Sequence, residues 1–184
     1  MKKLNKTIIS SLTLLGLGGL SYAWLNYRKV KIPDYVLAVE NFDLQKYMGK
    51  WYEIARLDFK YEKNMNYVTA TYFLNKNGMV DVHNRGFDYK EDKWVEAHGK
   101  AQFNREEGKG ALKVSFFGPF YSGYNIVLME PDYETALVFG ESHDYMWILS
   151  RQKTISEATK QKFLLYAKEN GYAIDQLTWT AQED

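Results

Sequence analysis

No cysteine occurs in the 184 residues, which excludes disulfides, thiolate metal sites, a cysteine nucleophile and lipid attachment through sulfur. Proline is scarce, at 3 residues, so no proline-rich linker divides the chain. The 3 histidines, His83, His98 and His143, fall in no HxH or HExxH spacing, which argues against a zinc enzyme. No GxSxG elbow is present, and the neighbouring carboxylates Glu106 and Glu107 fall in a turn, where solvation accounts for them. Neither sign of charge dominates. Against 23 Asp+Glu stand 24 Lys+Arg, a net charge of +1 without the basic excess of a nucleic-acid binder.

Aromatic residues are what the chain has in quantity: 15 Tyr, 10 Phe and 5 Trp, or 16% of the sequence. Aromatics favour strands and line apolar pockets. The length fits one globular domain plus an appendage. Residues 1–7 are basic and residues 8–25 are apolar and uncharged, the pattern of an export signal. Small residues at Ser21 and Ala23 suit a signal peptidase, with cleavage after Ala23. Eighteen uncharged residues also just suffice to cross a bilayer, so an uncleaved anchor is the alternative. Lys2, Lys3 and Lys6 are balanced by Arg28, Lys29 and Lys31, so the flanking charges set no orientation. Either reading places the domain outside the cytoplasm. Residues 26–40, with Pro33, form a connector, and the domain proper spans 41–184.

From residue 41 the dominant period is two. Val68, Ala70 and Tyr72 alternate with Thr69 and Thr71. Leu112, Val114 and Phe116 alternate with Lys113 and Ser115. Ala97, Gly99, Ala101 and Phe103 alternate with His98, Lys100 and Gln102. Turn signals at 75–78, 104–110, 117–120 and 131–134 separate such runs. Eight strands follow, starting near 50, 67, 79, 94, 111, 124, 136 and 145. Hairpin-length links make an antiparallel meander, and eight strands close into an up-and-down barrel. One helix comes after them, capped by Ser156, with Glu157 in its first turn and Gly171 just past its end. Its apolar face (Phe163, Tyr166, Ala167, with Ile155 ahead) packs on the outside of the sheet. Residues 172–179 alternate again and suit an added edge strand.

The meander also assigns partners. Each strand reverses direction, so strand eight ends at Arg151 beside the start of strand one, where Trp51 stands. The two meet about one hundred residues apart in sequence and plug one end of the barrel through a cation–π pair worth about 1–2 kcal/mol. Gly49 lets the chain turn tightly into that floor.

Three stretches, GKWYEIARLD (49–58), PDYETALVFG (131–140) and WILSRQ (147–152), resemble the three conserved regions of the lipocalin family. Within it the chain is most similar to bacterial lipocalins of the outer-membrane lipoprotein type, which are apolipoprotein D-like and resemble plant temperature-induced lipocalins. The runs VTATY, ALKVSFFGPF and GYN fit that subgroup, and the resemblance covers about 41–181. It implies an all-β eight-stranded calyx with one C-terminal helix, a Trp–Arg closure and an apolar ligand cavity. Gly49, Trp51 and Arg151 match its signature, and Asp132 and Tyr133 its second region. It also implies binding of a fatty acid or lysophospholipid, with a role in envelope maintenance under stress. Its bacterial members often carry a cysteine for acylation. Here that place holds Trp24, so a soluble periplasmic form or an N-terminal anchor would replace acylation.

Strand parity gives the side chains expected to face a ligand: Val68, Ala70, Tyr72, Val82, Asn84, Ala97, Gly99, Ala101, Phe103, Leu112, Val114, Phe116, Leu137, Phe139, Tyr145, Trp147 and Leu149. Loops at the open end hold an expected rim of Phe59, Tyr61, Phe87, Tyr89, Phe117, Phe120, Tyr121 and His143, suited to a membrane surface or to guiding an acyl chain. Lys60, Lys63, Lys90 and Lys93 are candidates to meet a phosphate or carboxylate head group, although solvated surface lysines are the commoner case. No cofactor or metal is expected. Haem would need a cavity histidine, and His83 and His98 have outward parity. A lipid-metabolising enzyme and a ligand-free interaction module are the competing classes, and a homodimer stays open.

Overall fold

The computed structural model describes residues 30, 32–104 and 106–182. The expected signal or anchor at 1–25 lies outside them. Eight antiparallel strands run in meander order: β1 (Gly49–Leu57), β2 (Met65–Leu74), β3 (Val80–Asp88), β4 (Lys93–Phe103), β5 (Ala111–Phe117), β6 (Phe120–Met129), β7 (Thr135–Phe139) and β8 (Met146–Ser150). Pairing of β8 with β1, through Tyr52 opposite Ser150 and Arg56 opposite Trp147, closes the barrel. Each is joined to the next by a short link, so every turn signal read from the sequence falls at a barrel end.

The floor is built before β1. A one-turn helix, α1 (Leu44–Tyr47), starts at Asp43, whose side chain accepts from the amides of Gln45 and Lys46. It places Tyr47 under the barrel, fully buried. Residues 32–40, expected as a connector, lie along the wall. Val36 is buried there, the Val39 amide donates to the Ile126 carbonyl at 2.9 Å, and Tyr35 stacks on His143 at 4.2 Å.

Outside the barrel lies α2 (Glu157–Glu169), where the Ser156 hydroxyl accepts from the Thr159 amide at 3.1 Å. Gly171, at φ +84°, ends it in the left-handed region. Its inner face, Phe163 and Ala167, is buried against the outward side chains of β7 and β8. Burial of a side chain such as Phe163 stabilises by roughly 1.5–3 kcal/mol.

The expected edge strand is β9 (Leu177–Trp179), paired to the upper half of β1. There β1 and β2 separate. Their pairing covers only Gly49–Tyr52 of β1, and β2 is bulged between Asn66 and Thr69, with Tyr67 at φ +56°. The chain end fills the split. The Tyr67 amide donates to the Ala181 carbonyl at 2.8 Å, and Gln182 Nε2 donates to the carbonyls of Glu53 (2.6 Å) and Val68 (3.2 Å). Backbone groups freed by the bulge are thus satisfied by Ala181 and Gln182.

A closed floor and an open cavity

Trp51 is fully buried and begins the inward face of β1. The Arg151 guanidinium lies 3.9 Å from the centre of its ring. The indole Nε1 donates to the Tyr47 carbonyl at 2.8 Å. Arg151 also ties the floor together: Nη1 donates to the Lys50 carbonyl at 2.8 Å, and Nη2 to those of Lys46 (2.9 Å) and Met48 (2.8 Å). Gly49 has φ +96°, and a Cβ there would stand 3.3 Å from Arg151 Nη1. Glycine is needed both for the backbone and for the guanidinium. Of the second-region pair, Tyr133 holds the floor, its hydroxyl accepting from the Asp43 amide at 2.8 Å, and Asp132 accepts from the Glu134 amide within the turn.

Above the floor is a cavity of about 510 Å³, within the range of small-molecule sites. Of the expected inward residues, Val68, Ala70, Tyr72, Val82, Asn84, Ala97, Ala101, Leu112, Val114, Phe116, Tyr145, Trp147 and Leu149 line it. Of the expected rim, Phe59, Tyr61, Phe117 and Phe120 stand at it. Tyr61, Phe117 and Phe120 are each more than 60% exposed, as apolar groups at a mouth must be.

The remaining residues lie elsewhere, each for a physical reason. Leu137 and Phe139 point outward beneath α2, where Phe139 stacks on Tyr172 at 4.0 Å. Their neighbours Ala136 and Val138 face inward instead. Strand β7 is buried on both faces, so its apolar run carries no alternation from which to read parity. Phe103 sits edge-on to Phe42 in the core cluster that holds Tyr47 and Trp51. Gly99 is covered by the Phe116 ring, 2.8 Å from where its Cβ would be, and borders an outer groove instead. Phe87 packs with Tyr67 and Trp94, and Tyr89 donates to Asn64. Tyr121 lies beside the Lys113 ammonium at the outer groove. His143 stacks on Tyr35 and meets the Asn170 carbonyl at 2.9 Å, at the end of α2.

The outer groove, about 580 Å³, crosses β3–β5 beside His83, His98, Lys100 and Tyr121. His83 and His98 sit opposite each other across β3 and β4 and stack at 4.5 Å, with Glu96 3.3 Å from His83. Sequence spacing misses this cross-strand pair because the two histidines are fifteen residues apart.

Sequence parity also missed several cavity residues. Tyr124 bonds the hydroxyls of Tyr47 (2.6 Å) and Tyr72 (3.0 Å) across the cavity bottom. Burial pushes the Tyr72 hydroxyl up to about 12, so this chain of hydroxyls stays neutral at physiological pH. Glu53 and Glu62 line the upper cavity. Glu53 lies two residues after Trp51 on the same inward face, opposite Leu149, and the bulge that follows it turns Ala55 outward. Its carboxylate meets Arg56 at 2.6 Å, and both are almost wholly buried. Glu62 accepts from Trp147 Nε1 at 2.9 Å. Burial, with Glu53 nearby, pushes its carboxyl from 4.5 up to about 8.

The folded state therefore keeps a proton on Glu62 that the unfolded chain releases above pH 4.5. Stability falls as pH rises from there, and the loss levels off past about 8. Glu62→Gln removes that penalty. The melting temperature of the variant should gain on the parent between pH 5 and pH 8, by at least about 3 °C, the equivalent of ~1 kcal/mol in a domain of this size. A difference that stays flat with pH in thermal melts contradicts this burial.

A one-ended, apolar-lined calyx closed by a Trp–Arg plug, with one helix outside it, defines a small-molecule container of the lipocalin type. The family model for a lipocalin-like domain matches residues 42–182, and the chain belongs to the lipocalin family. It is 45% identical over 150 residues to the outer membrane lipoprotein Blc of Citrobacter freundii, covering 82% of this chain and 85% of that protein. It is 30% identical over 151 residues to mouse apolipoprotein D, covering 78% of each. Among solved structures it is similar to insecticyanin of the tobacco hornworm, with a TM-score of 0.67 at 18% identity, over 85% of this chain and 88% of that one. At that identity the likeness speaks for the fold.

Proposed function

We propose that the protein is a non-catalytic carrier of a single-chain lipid, a fatty acid or lysophospholipid, in the bacterial cell envelope, serving membrane maintenance under stress. The observation that carries this reading is the apolar cavity of about 510 Å³, closed below by Trp51 and Arg151 and open above through exposed aromatics. Burying an acyl chain there supplies about 0.8 kcal/mol per CH₂. Tyr61, Phe117 and Phe120 suit transfer at a membrane surface. The relatives named as outer membrane lipoproteins support an envelope location on the periplasmic side. With Trp24 in place of a cysteine, residues 1–25 act as a cleaved signal or an N-terminal anchor.

The test is to purify the protein from its host without detergent and analyse it by intact mass spectrometry and lipid extraction. A near-equimolar single-chain lipid is expected, together with a saturable change in tryptophan fluorescence on adding lysophospholipid to delipidated protein. No lipid and no saturable change would sink the proposal. The same intact mass reads whether cleavage follows Ala23.

A further inference from the structure

The upper wall of the cavity is lined by carboxylates and aromatic rings. Glu62 stands among Phe59, Tyr61, Tyr145 and Trp147, all lining the cavity. Phe59 is 5.8 Å from Trp147 and 5.4 Å from Tyr145, centre to centre, and Tyr145 stacks on Trp147 at 6.3 Å. The guanidiniums nearby are already engaged. Arg56 donates from Nε to Asp58 (2.8 Å) and from Nη1 to Glu53 (2.6 Å), the Met65 carbonyl (3.2 Å) and Thr180 (3.3 Å). Arg85 lies 3.6 Å over the Trp94 ring and 3.6 Å from Glu96. Beside Glu62 an anionic head would meet the closed Glu53–Arg56 pair, while Arg85 also lines the cavity and the Lys60 ammonium lies 5.5 Å over the Tyr61 ring.

From this geometry we infer that the cavity selects single-chain lipids carrying an ammonium group, which sits in the aromatic box against Glu62. The inference rests on the lipid-carrier reading and narrows it. Three carboxylates, Glu53, Asp58 and Glu62, face one guanidinium, Arg56. A second cation balances them, and rings around an ammonium add cation–π attraction. In the empty cavity Glu62 stays protonated up to about pH 8, because burial, and then Glu53 and Asp58 on the β1 side, oppose its charge and the field of Arg56 only partly offsets them. Trp147 on β8 donates to it, Tyr72 on β2 is neutral, and Thr180 beyond β9 is bonded to Glu53. A bound ammonium displaces that proton to solvent and leaves Glu62 as the carboxylate partner. Affinity for a permanently charged ammonium therefore rises with pH up to about 8, by as much as tenfold per unit, and levels off above it. A carboxylate ligand behaves in the opposite way. It needs the Glu62 proton as a donor, so its affinity is level while that proton is held and weakens as pH rises past about 8.

The experiment titrates the delipidated full-length protein with dodecyltrimethylammonium and with laurate, between pH 6 and 9. The ammonium compound should bind at least tenfold more tightly than laurate at pH 8 and gain affinity with pH, and Glu62→Gln should cut the ammonium-to-laurate ratio at least tenfold. If that variant folds poorly, Tyr145→Leu, which removes one wall of the box, should lower the same ratio. Equal or tighter binding of laurate at pH 8, or a ratio untouched by the substitutions, overturns the inference while leaving the lipid carrier standing. Binding of neither compound overturns the carrier reading and this inference with it. Two further ligands of equal chain length locate the ammonium. Preference for lysophosphatidylcholine over lysophosphatidate assigns it to a phospholipid head group. Equal binding of those two, beside tight dodecyltrimethylammonium, assigns it to a free long-chain amine. Both outcomes support selection for ammonium.

Discussion

Trp51→Ala is expected to lower the melting temperature by roughly 10 °C. Loss of a buried Trp side chain costs about 3–5 kcal/mol, and in a domain of this size each kcal/mol shifts melting by about 2–4 °C. The site cannot collapse to recover that cost. Its indole is fixed by the Tyr47 carbonyl below and the Arg151 guanidinium beside it, and Arg151 is itself tied to three floor carbonyls. Without the indole, Arg151 faces a void, and Tyr47 loses the ring packed 4.7 Å away. Ligand contact is a separate matter, because the expected lipid site lies above the floor. Thermal melts and titrations on the same sample separate the two. A variant with parental stability that no longer binds lipid would place Trp51 in the ligand site and contradict the floor assignment.

Val114→Trp is expected to weaken lysophospholipid binding at least about tenfold while moving the melting temperature by less than about 3 °C. Adding bulk to a filled core strains it by ~1–3 kcal/mol. Val114 lines open volume instead, on the wall of β5 between Ala101 and Ser122. An indole at that position projects into space the acyl chain would use. Loss of chain contacts at about 0.8 kcal/mol per CH₂ reaches a tenfold effect when two methylenes are displaced. Parental affinity in the folded variant would mean that lipid binds elsewhere.

Much of this container was legible in the sequence because barrels write alternation into every half-buried strand. β2 and β5 each alternate apolar with polar residues, so Ala70 and Val114 could be placed from period two alone. Closure was legible through topology: a meander of eight strands has to bring Trp51 to Arg151. Leu137 and Phe139 were misplaced because α2 buries the outer face of β7, which erases the polar half of the pattern. Glu53 shares the face of Trp51 by alternation, but a charged residue in a strand reads as solvent-facing, and only the fold supplies its buried partner Arg56. Glu62 was hidden by a similar cause. A charged residue in a loop reads as solvated, and only the folded β1–β2 connection brings it under the Trp147 indole. The three-hydroxyl cluster of Tyr47, Tyr72 and Tyr124 joins α1, β2 and β6, elements that no local pattern connects.

The claim that a lipid chain occupies the calyx is tested most directly by crystals of the protein grown with a lysophospholipid brominated along its acyl chain. Anomalous scattering should place bromine inside the barrel, between Ala70 and Val114 and below Trp147. Bromine confined to the outer groove beside Lys100 and Tyr121, or to the exposed rim alone, would contradict it.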